Sequence, residues 1–212
     1  MGDQPGRGVH PKRALVVAAY TECPVNATTV CVDELGPVSP RTFPPAAGWT
    51  KDGRRVKAPL EYSRGLDRTW VYGALRMRDG QVLTQCGTSR NTAGYLGLLE
   101  AVERDNPQGD ILVVSDNLAS HKSAPVQAWL ETHPRVKHVF IPKGACWLNL
   151  IEPWWRLLRR EAFAGMTFVD AAEVEQAVKD GTRRLNERAR PWVWGRPAKT
   201  PRFRRHAVLY RY

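Results

Sequence analysis

Apolar positions recur along this chain with two different periods. In its first part they come in short β-branched or aromatic runs, from Thr28 to Val32, Arg68 to Met77 and Gln81 to Cys86. These predict three strands, the last two joined as a hairpin around Arg78-Asp79-Gly80. Further on, helical spacing alternates with strand-like runs. Tyr95, Leu98, Leu99 and Val102 predict a helix from about Thr92 to Arg104, stopped by Asn106-Pro107-Gln108-Gly109. Ile111 to Val114 is continuously apolar, the pattern of a strand buried on both faces. Val126, Trp129 and Leu130 point inward from a helix over Pro125 to His133, and Val136 to Ile141 forms another strand.

Two amphipathic helices complete the pattern. Ile151, Trp154, Trp155, Leu158 and Ala162 form one apolar stripe, with Arg156, Arg159 and Arg160 on the other side. Ala171, Val174, Val178 and Leu185 form the second, running to about Arg188 behind a capping pair of Thr167 and Asp170. The flanks are less regular. Met1 to Arg13 is Gly/Pro-rich and reads as poorly ordered, and Ala14 to Tyr20 suits a short helix or a strand equally. Gly36 to Asp67, with Pro37, Pro40, Pro44, Pro45 and Pro59, reads as a long irregular loop.

Three strands, then helix, strand, helix, strand and helix predict an α/β fold, a mixed sheet flanked by helices. That order is the one ribonuclease H-like folds use, and it gives the polar positions their interest. The first strand ends in Asp33 and Glu34, the Ile111 strand is followed by Asp116, and Glu152 stands near the start of the tryptophan-bearing helix. Either Asn149 caps that helix with Glu152 completing a capping box, or Pro153 makes Glu152 itself the cap. In such a sheet the first and fourth strands are neighbours, so Asp33, Asp116 and Glu152 converge. Crowded carboxylates raise one another's pKa values unless a cation intervenes. A pair of Mg²⁺ or Mn²⁺ ions about 3.5–4 Å apart resolves the repulsion and directs the chemistry to phosphodiester cleavage or transfer. Oxygen-only donors favour these hard cations over zinc.

Charge points the same way. The 212 residues carry a net charge of +11, which calls for a polyanionic partner. From Gly181 to Tyr212 there are ten Lys/Arg against Glu187 alone, interleaved with Trp192, Trp194, Phe203, Tyr210 and Tyr212. The mixture suits phosphate contact with base stacking, or equally a solvated tail covering the domain. Cys23, Cys31, Cys86 and Cys146 show neither C-x-x-C spacing nor pairing with histidines, which argues against a zinc site or a disulfide framework. No apolar run approaches membrane-spanning length and no signal peptide is visible, so a cytoplasmic, nucleoid-associated protein with no membrane partner is the expectation.

The stretches VCVDELG (30–36), GWTKDGRR (48–55), VSDNLASH (114–121) and WLNLIEPWWRLLRR (147–160) resemble the IS630-type DDE transposases of the wider Tc1/mariner group, with Glu152 following Asp116 by 36 positions. The resemblance implies a retroviral integrase-type ribonuclease H-like domain over 28–190, preceded by a tail and remnant linker (1–27) and followed by a basic aromatic tail (191–212). It implies Asp33, Asp116 and Glu152 as the catalytic, metal-binding triad for two Mg²⁺ (or Mn²⁺) ions, supported by Glu34, Asn117, His121 and Asn149. His121 would orient a carboxylate or approach a phosphate, or else only make a helix-end hydrogen bond. The cations expected on DNA are Arg54, Arg55 and Lys57 in the long loop, Lys122, Lys143, Arg156, Arg159, Arg160, Arg183 and Arg184.

The implied activity is cleavage and strand transfer in DNA transposition, on double-stranded DNA at transposon ends and target, with a homodimer and a separate recognition domain as further partners. Family members carry an N-terminal helix-turn-helix region, whereas only a short stretch precedes Asp33, so the expectation is a catalytic domain without it. Two other readings share these residues: an inactive remnant that only binds DNA, and a ribonuclease H-like nuclease or resolvase.

Overall fold

The computed structural model describes residues 11–42, 48–49, 51–56, 63–64 and 67–195. Five strands form one sheet: β1 (Ala27–Val38), β2 (Thr69–Arg76), β3 (Val82–Gly87), β4 (Asp110–Ser115) and β5 (Val136–Phe140), in spatial order β3-β2-β1-β4-β5. β1, β2 and β3 pair antiparallel, while β4 lies parallel to β1 and β5 parallel to β4. This mixed sheet, with helices on both faces, is the ribonuclease H-like arrangement expected from the element order.

The helices are α1 (Pro11–Thr21), α2 (Thr92–Asp105), α3 (Ala124–Thr132), α4 (Ile151–Leu158) and α5 (Ala171–Asn186). Alternation along the strands divides the core in two. Cys31, Val71, Leu75 and Val114 pack with Val16 of α1, Ile151, Trp154, Trp155 and Leu158 of α4, and Val178 of α5. Val30, Val32, Ala74, Ile111 and Val113 pack on the opposite face with Tyr95, Leu98, Leu99 and Val102 of α2 and Val126 of α3. Strand side chains point alternately to the two faces, and this builds both layers from one sheet.

Several boundaries differ from the sequence reading. β1 does not end at Asp33 but continues to Val38, because β2 stays paired with it there after its ladder with β4 has ended at Cys31–Val114. Asp33 therefore lies mid-strand, opposite Gly73. The ambiguous Ala14–Tyr20 stretch belongs to helix α1, with Val16 and Ala19 buried. Within the long loop, Arg41–Thr42 pairs with Ser63–Arg64 and Gly48–Trp49 with Arg55–Val56, ladders too short to leave a period in the sequence. The α4 stripe continues to Ala162 through a π-helical turn, Arg159–Phe163. At α5, Asp170 caps Glu173 N–H and the Glu173 side chain reaches back to Val169 N–H, so the capping partner is Glu173 rather than Thr167.

A close approach seats α4 on the sheet. A Cβ at Gly73 would stand 2.3 Å from the Trp155 ring and 3.0 Å from Ile151 Cδ1. Glycine at this point of β2 lets the indole lie on the strand. Gly73→Ala is therefore expected to push Trp155 out of place and cost roughly 1–3 kcal/mol, as overpacked cores do. Chemical denaturation should show it as a lower midpoint, and an unchanged midpoint would mean that the indole has room to move.

Candidate active site

Three segments carry the predicted acids. Asp33 comes from β1 and Asp116 from the residue after β4. The β1–β4 ladder ends at Cys31–Val114, and each acid lies two residues beyond that last pair. Glu152 comes from the first turn of α4, whose start is fixed by Asn149. The buried Asn149 side chain donates to Val32 O (2.8 Å), the residue before Asp33, while its main-chain oxygen accepts from Glu152 N (3.2 Å). Asn149 is not the cap. Leu150 holds that position, and Asn149 stitches α4 to β1 instead.

Asp33 and Asp116 are compensated in opposite ways. Burial lifts the Asp33 carboxyl to about 7. The main-chain N–H of Glu34 and the indole of Trp155 oppose the lift, and the neighbouring acids Glu152 and Glu34 add to it. Trp155 Nε1 donates to Asp33 Oδ2 at 3.2 Å. Among the described residues Asp33 has no cationic partner. Burial also works against ionisation of Asp116, but the His121 contact, the Leu118 N–H and the charges of His121 and Arg90 outweigh it and hold this carboxyl below its usual range.

His121 is the hub of the second arrangement. Its side chain is 0% exposed, with Nδ1 3.0 Å from Asp116 Oδ1 and Nε2 2.9 Å from Oε1 of Glu34, itself 1% exposed. Burial opposes charge on the ring, yet the bonds to Asp116 and Glu34 and their charges lift it to about 9. The ring stacks on Tyr95 with centroids 3.8 Å apart, and Tyr95 Oη meets His138 Nε2 at 3.0 Å. Burial and the His121 charge push His138 down to about 4, which leaves it the neutral end of the chain. Glu34 faces away from Asp33, as strand alternation requires, and braces Asp116 from behind through His121.

Asn117 donates to Ile141 O at the end of β5 and accepts from Lys122 Nζ, whose ammonium lies 4.9 Å from the Phe140 ring centroid. Lys143, Arg156, Arg159 and Arg160 are exposed. Arg54 is exposed beside Asp52 (3.4 Å). Arg55 lies in a short ladder, and Lys57 falls outside the described residues, as does the basic tail from residue 196 onward. Arg183 pairs with Glu187 and Asp180, and Arg184 with Glu161.

Among the described residues no three His, Cys, Asp or Glu side chains stand close enough to hold a metal ion. The donor set nevertheless fits a hard divalent cation. It is all carboxylate oxygen, and Asp33 sits where burial and two acids favour a bound positive charge over a bare anion. Sequence reasoning placed Trp155 in the core stripe without its second role, although its i, i+3 spacing from Glu152 puts both on one helix face. Tyr95, His138 and Arg90 left no such signal.

Residues 28–175 match the family model described as DDE superfamily endonuclease. The chain belongs to this family. A curated relative, the insertion element IS630 uncharacterized 39 kDa protein of Shigella sonnei, is 26% identical over 151 residues, covering 69% of this chain and 42% of that protein. This DDE endonuclease chain thus spans less than half the length of that relative. Among solved structures, the HTLV-2 integrase catalytic core domain in complex with magnesium is 11% identical with a TM-score of 0.48, covering 77% of this chain and 88% of that one. The catalytic core domain of BIV integrase is 15% identical with a TM-score of 0.46, covering 77% and 85%. No helix among the described residues is long and apolar enough to cross a membrane.

Two expected outcomes follow from this electrostatic arrangement. His121→Ala leaves the buried Glu34 carboxyl without its partner and should cost roughly 3–5 kcal/mol in denaturant unfolding, the range for breaking one side of a buried pair. A loss below about 1 kcal/mol, the level of exposed pairs, would show that water replaces the imidazole. The second concerns pH. Asp33, at about 7, holds its proton more tightly folded than at its ordinary value of 3.8. Its contribution to stability is full below about pH 4 and is lost as pH rises through 7. His121, lifted from 6.5 to about 9, loses its contribution over the next interval in the same direction. In chelator, His138, lowered from 6.5 to about 4, opposes the fall below pH 6.5, so the melting temperature should fall from about pH 6.5 to 9, with Asp33→Asn removing the part of the fall that ends near 7. A melting temperature that rises with pH over this interval would contradict the assignment.

Proposed function

We propose that this chain is the catalytic domain of an IS630-type DDE transposase that cuts and joins DNA strands with divalent metal ions. The reading rests on Asp33, a buried acid surrounded by acids, within a domain of the DDE endonuclease family. Asp33, Asp116 and Glu152 would hold two Mg²⁺ or Mn²⁺ ions. Such ions, when bound, activate the attacking water or 3′-hydroxyl and stabilise the leaving oxygen.

The chain's own residues supply position. Trp155 directs Asp33 through Nε1, His121 holds Asp116 Oδ1 towards the rim, and Asn149 keeps the first turn of α4 against the strand that bears Asp33. A site held in this way loses little free energy to reorganisation when charge develops on the phosphate oxygens. The exposed Lys143, Arg156, Arg159 and Arg160 give the DNA backbone its contacts. Transposon ends and target DNA, a homodimer, a separate recognition domain and a nucleoid location belong to the same proposal.

The absence of a ready three-ligand group among the described residues favours one competing reading, a remnant that binds DNA without cutting it. Nicking of supercoiled DNA in Mg²⁺ or Mn²⁺ separates the two. The wild type should nick, and Asp116→Asn should lose nicking while still binding DNA. Metal-dependent nicking that survives in Asp116→Asn would remove Asp116 from the site, and binding without nicking by either protein would favour the remnant.

A further inference from the structure

The loop between β3 and α2 carries an arginine that no part of the site described above employs. Arg90 is exposed, and among the described residues its guanidinium makes no hydrogen bond or ion pair. Arg76, Arg135, Arg183, Arg184 and Arg188, by contrast, all spend donors on acids of this chain.

The surroundings of Arg90 hold it in place on both levels. The guanidinium carbon lies 4.9 Å from the Trp70 ring centroid, a cation–π contact that orients the planar group and leaves its N–H edge open. The backbone is fixed on either side by a single hydroxyl. Tyr72 Oη donates to Ser89 O at 2.8 Å and accepts from Asn91 N–H at 2.9 Å, bracketing Arg90. Asn91 continues the support by capping α2 through Gly94 N–H (2.8 Å) and by donating to Ser89 Oγ (2.7 Å). Gly94 is what admits the tyrosine, since a Cβ there would stand 2.4 Å from Tyr72 Oη.

Trp70 and Tyr72 are alternate residues of β2, and Tyr72 pairs with Glu34, next to Asp33. This ties the loop rigidly to the strand that carries the first acid. Two residues beyond Arg90, the Thr92 hydroxyl donates to Ser123 Oγ at 3.2 Å, at the end of the turn that follows Asp116 and carries His121, which ties the loop to the second acid as well. A preorganised guanidinium with unspent donors beside a carboxylate rim has the geometry of a phosphate receptor, because its planar fork matches two phosphate oxygens at once.

We propose that Arg90 contacts the phosphodiester that is cut, on the Asp116 side of the site, with Trp70 and Tyr72 as the positioning residues that aim it. This rests on the metal-dependent DNA cleavage proposed above and adds to it the group that receives the reacting phosphate. The competing role for Arg90 is to balance the charge of Asp116 without touching DNA.

The test uses Arg90→Ala and Arg90→Lys in the full chain, with a fluorescent duplex oligonucleotide for binding between 50 and 200 mM salt and a supercoiled plasmid for nicking. Arg90→Ala should lower the slope of log K against log salt by about 1, the share of one phosphate contact. Nicking should fall about 10²-fold, as for loss of one preorganised donor, and Arg90→Lys should lie between, because it keeps the charge and loses the fork. The slope should change equally when Arg90→Ala is combined with Asp116→Asn. If the change vanishes in that background, Arg90 only balances Asp116 and the proposal falls. Tyr72→Phe keeps the ring but releases the loop, and should lower nicking while leaving the salt slope in place. Wild-type slope and nicking in Arg90→Ala would also overturn the assignment. If the wild type nicks no plasmid, the cleavage reading fails on its own account, and an unchanged slope would then dispose of Arg90 as a phosphate contact as well.

Discussion

A carboxyl group taken out of water must be given a proton, a cation or strong donors, and the rim of this sheet is arranged around that requirement. Glu34 and Asp116 meet it with one imidazole, which contacts both at about hydrogen-bond distance and carries charge because they surround it. Asp33 meets it only in part, through the Trp155 indole and a main-chain N–H. The two solutions lie on opposite faces of β1. On the α2 face one imidazole serves two acids, and among the described residues Glu34 Oε2 makes no hydrogen bond. On the α4 face one acid is left leaning towards a positive charge that the described side chains do not supply.

The helical layer over Asp33 is held in a matching way. α4 and the residues before it reach the sheet through contacts of different kinds within two turns: Asn149 to the main chain of β1, Trp155 over Gly73 and Trp155 Nε1 to Asp33. Tyr20 of α1 donates to Leu148 O at 2.7 Å, which fixes the residue before Asn149 from the other side. Packing and polar contacts thus set the same angle for the helix. Glu152 inherits its place from these neighbours, since it forms no ion pair among the described residues. A loosened α4 would move Glu152 and the Asp33 donor together.

Much of this was legible in the sequence. The strand and helix order, the two-sided burial of Ile111 to Val114 and the stripe from Ile151 to Ala162 all follow from apolar period, which local residues carry directly. The acids stood out because each interrupts an apolar run. What the period misses is contact between distant segments. β1 is longer than its apolar run because pairing with β2, not side-chain pattern, sustains it past Asp33. Asn149 reads as a cap because its sequence neighbours are a helix start, while its hydrogen-bond partner is Val32, 117 residues away. Arg90 has no local pattern at all. Its meaning comes from Trp70 and Tyr72, which reach it through the pairing of β2 with β3.

Net charge is likewise a poorer guide than the state of each cation. The C-terminal part of the chain carries most of the excess, yet in its described portion Arg184 and Arg188 share Glu161, and Arg183 lies between Asp180 and Glu187. Such exposed pairs lend α5 little support, and a phosphate drawing on them must first replace an existing partner. Arg90 faces no such exchange. Its charge is oriented by an aromatic face that competes for none of its N–H groups, and its backbone is held by a hydroxyl already satisfied on both sides. Binding there costs little ordering, and this makes one such arginine worth more to a site than several basic residues on a paired surface.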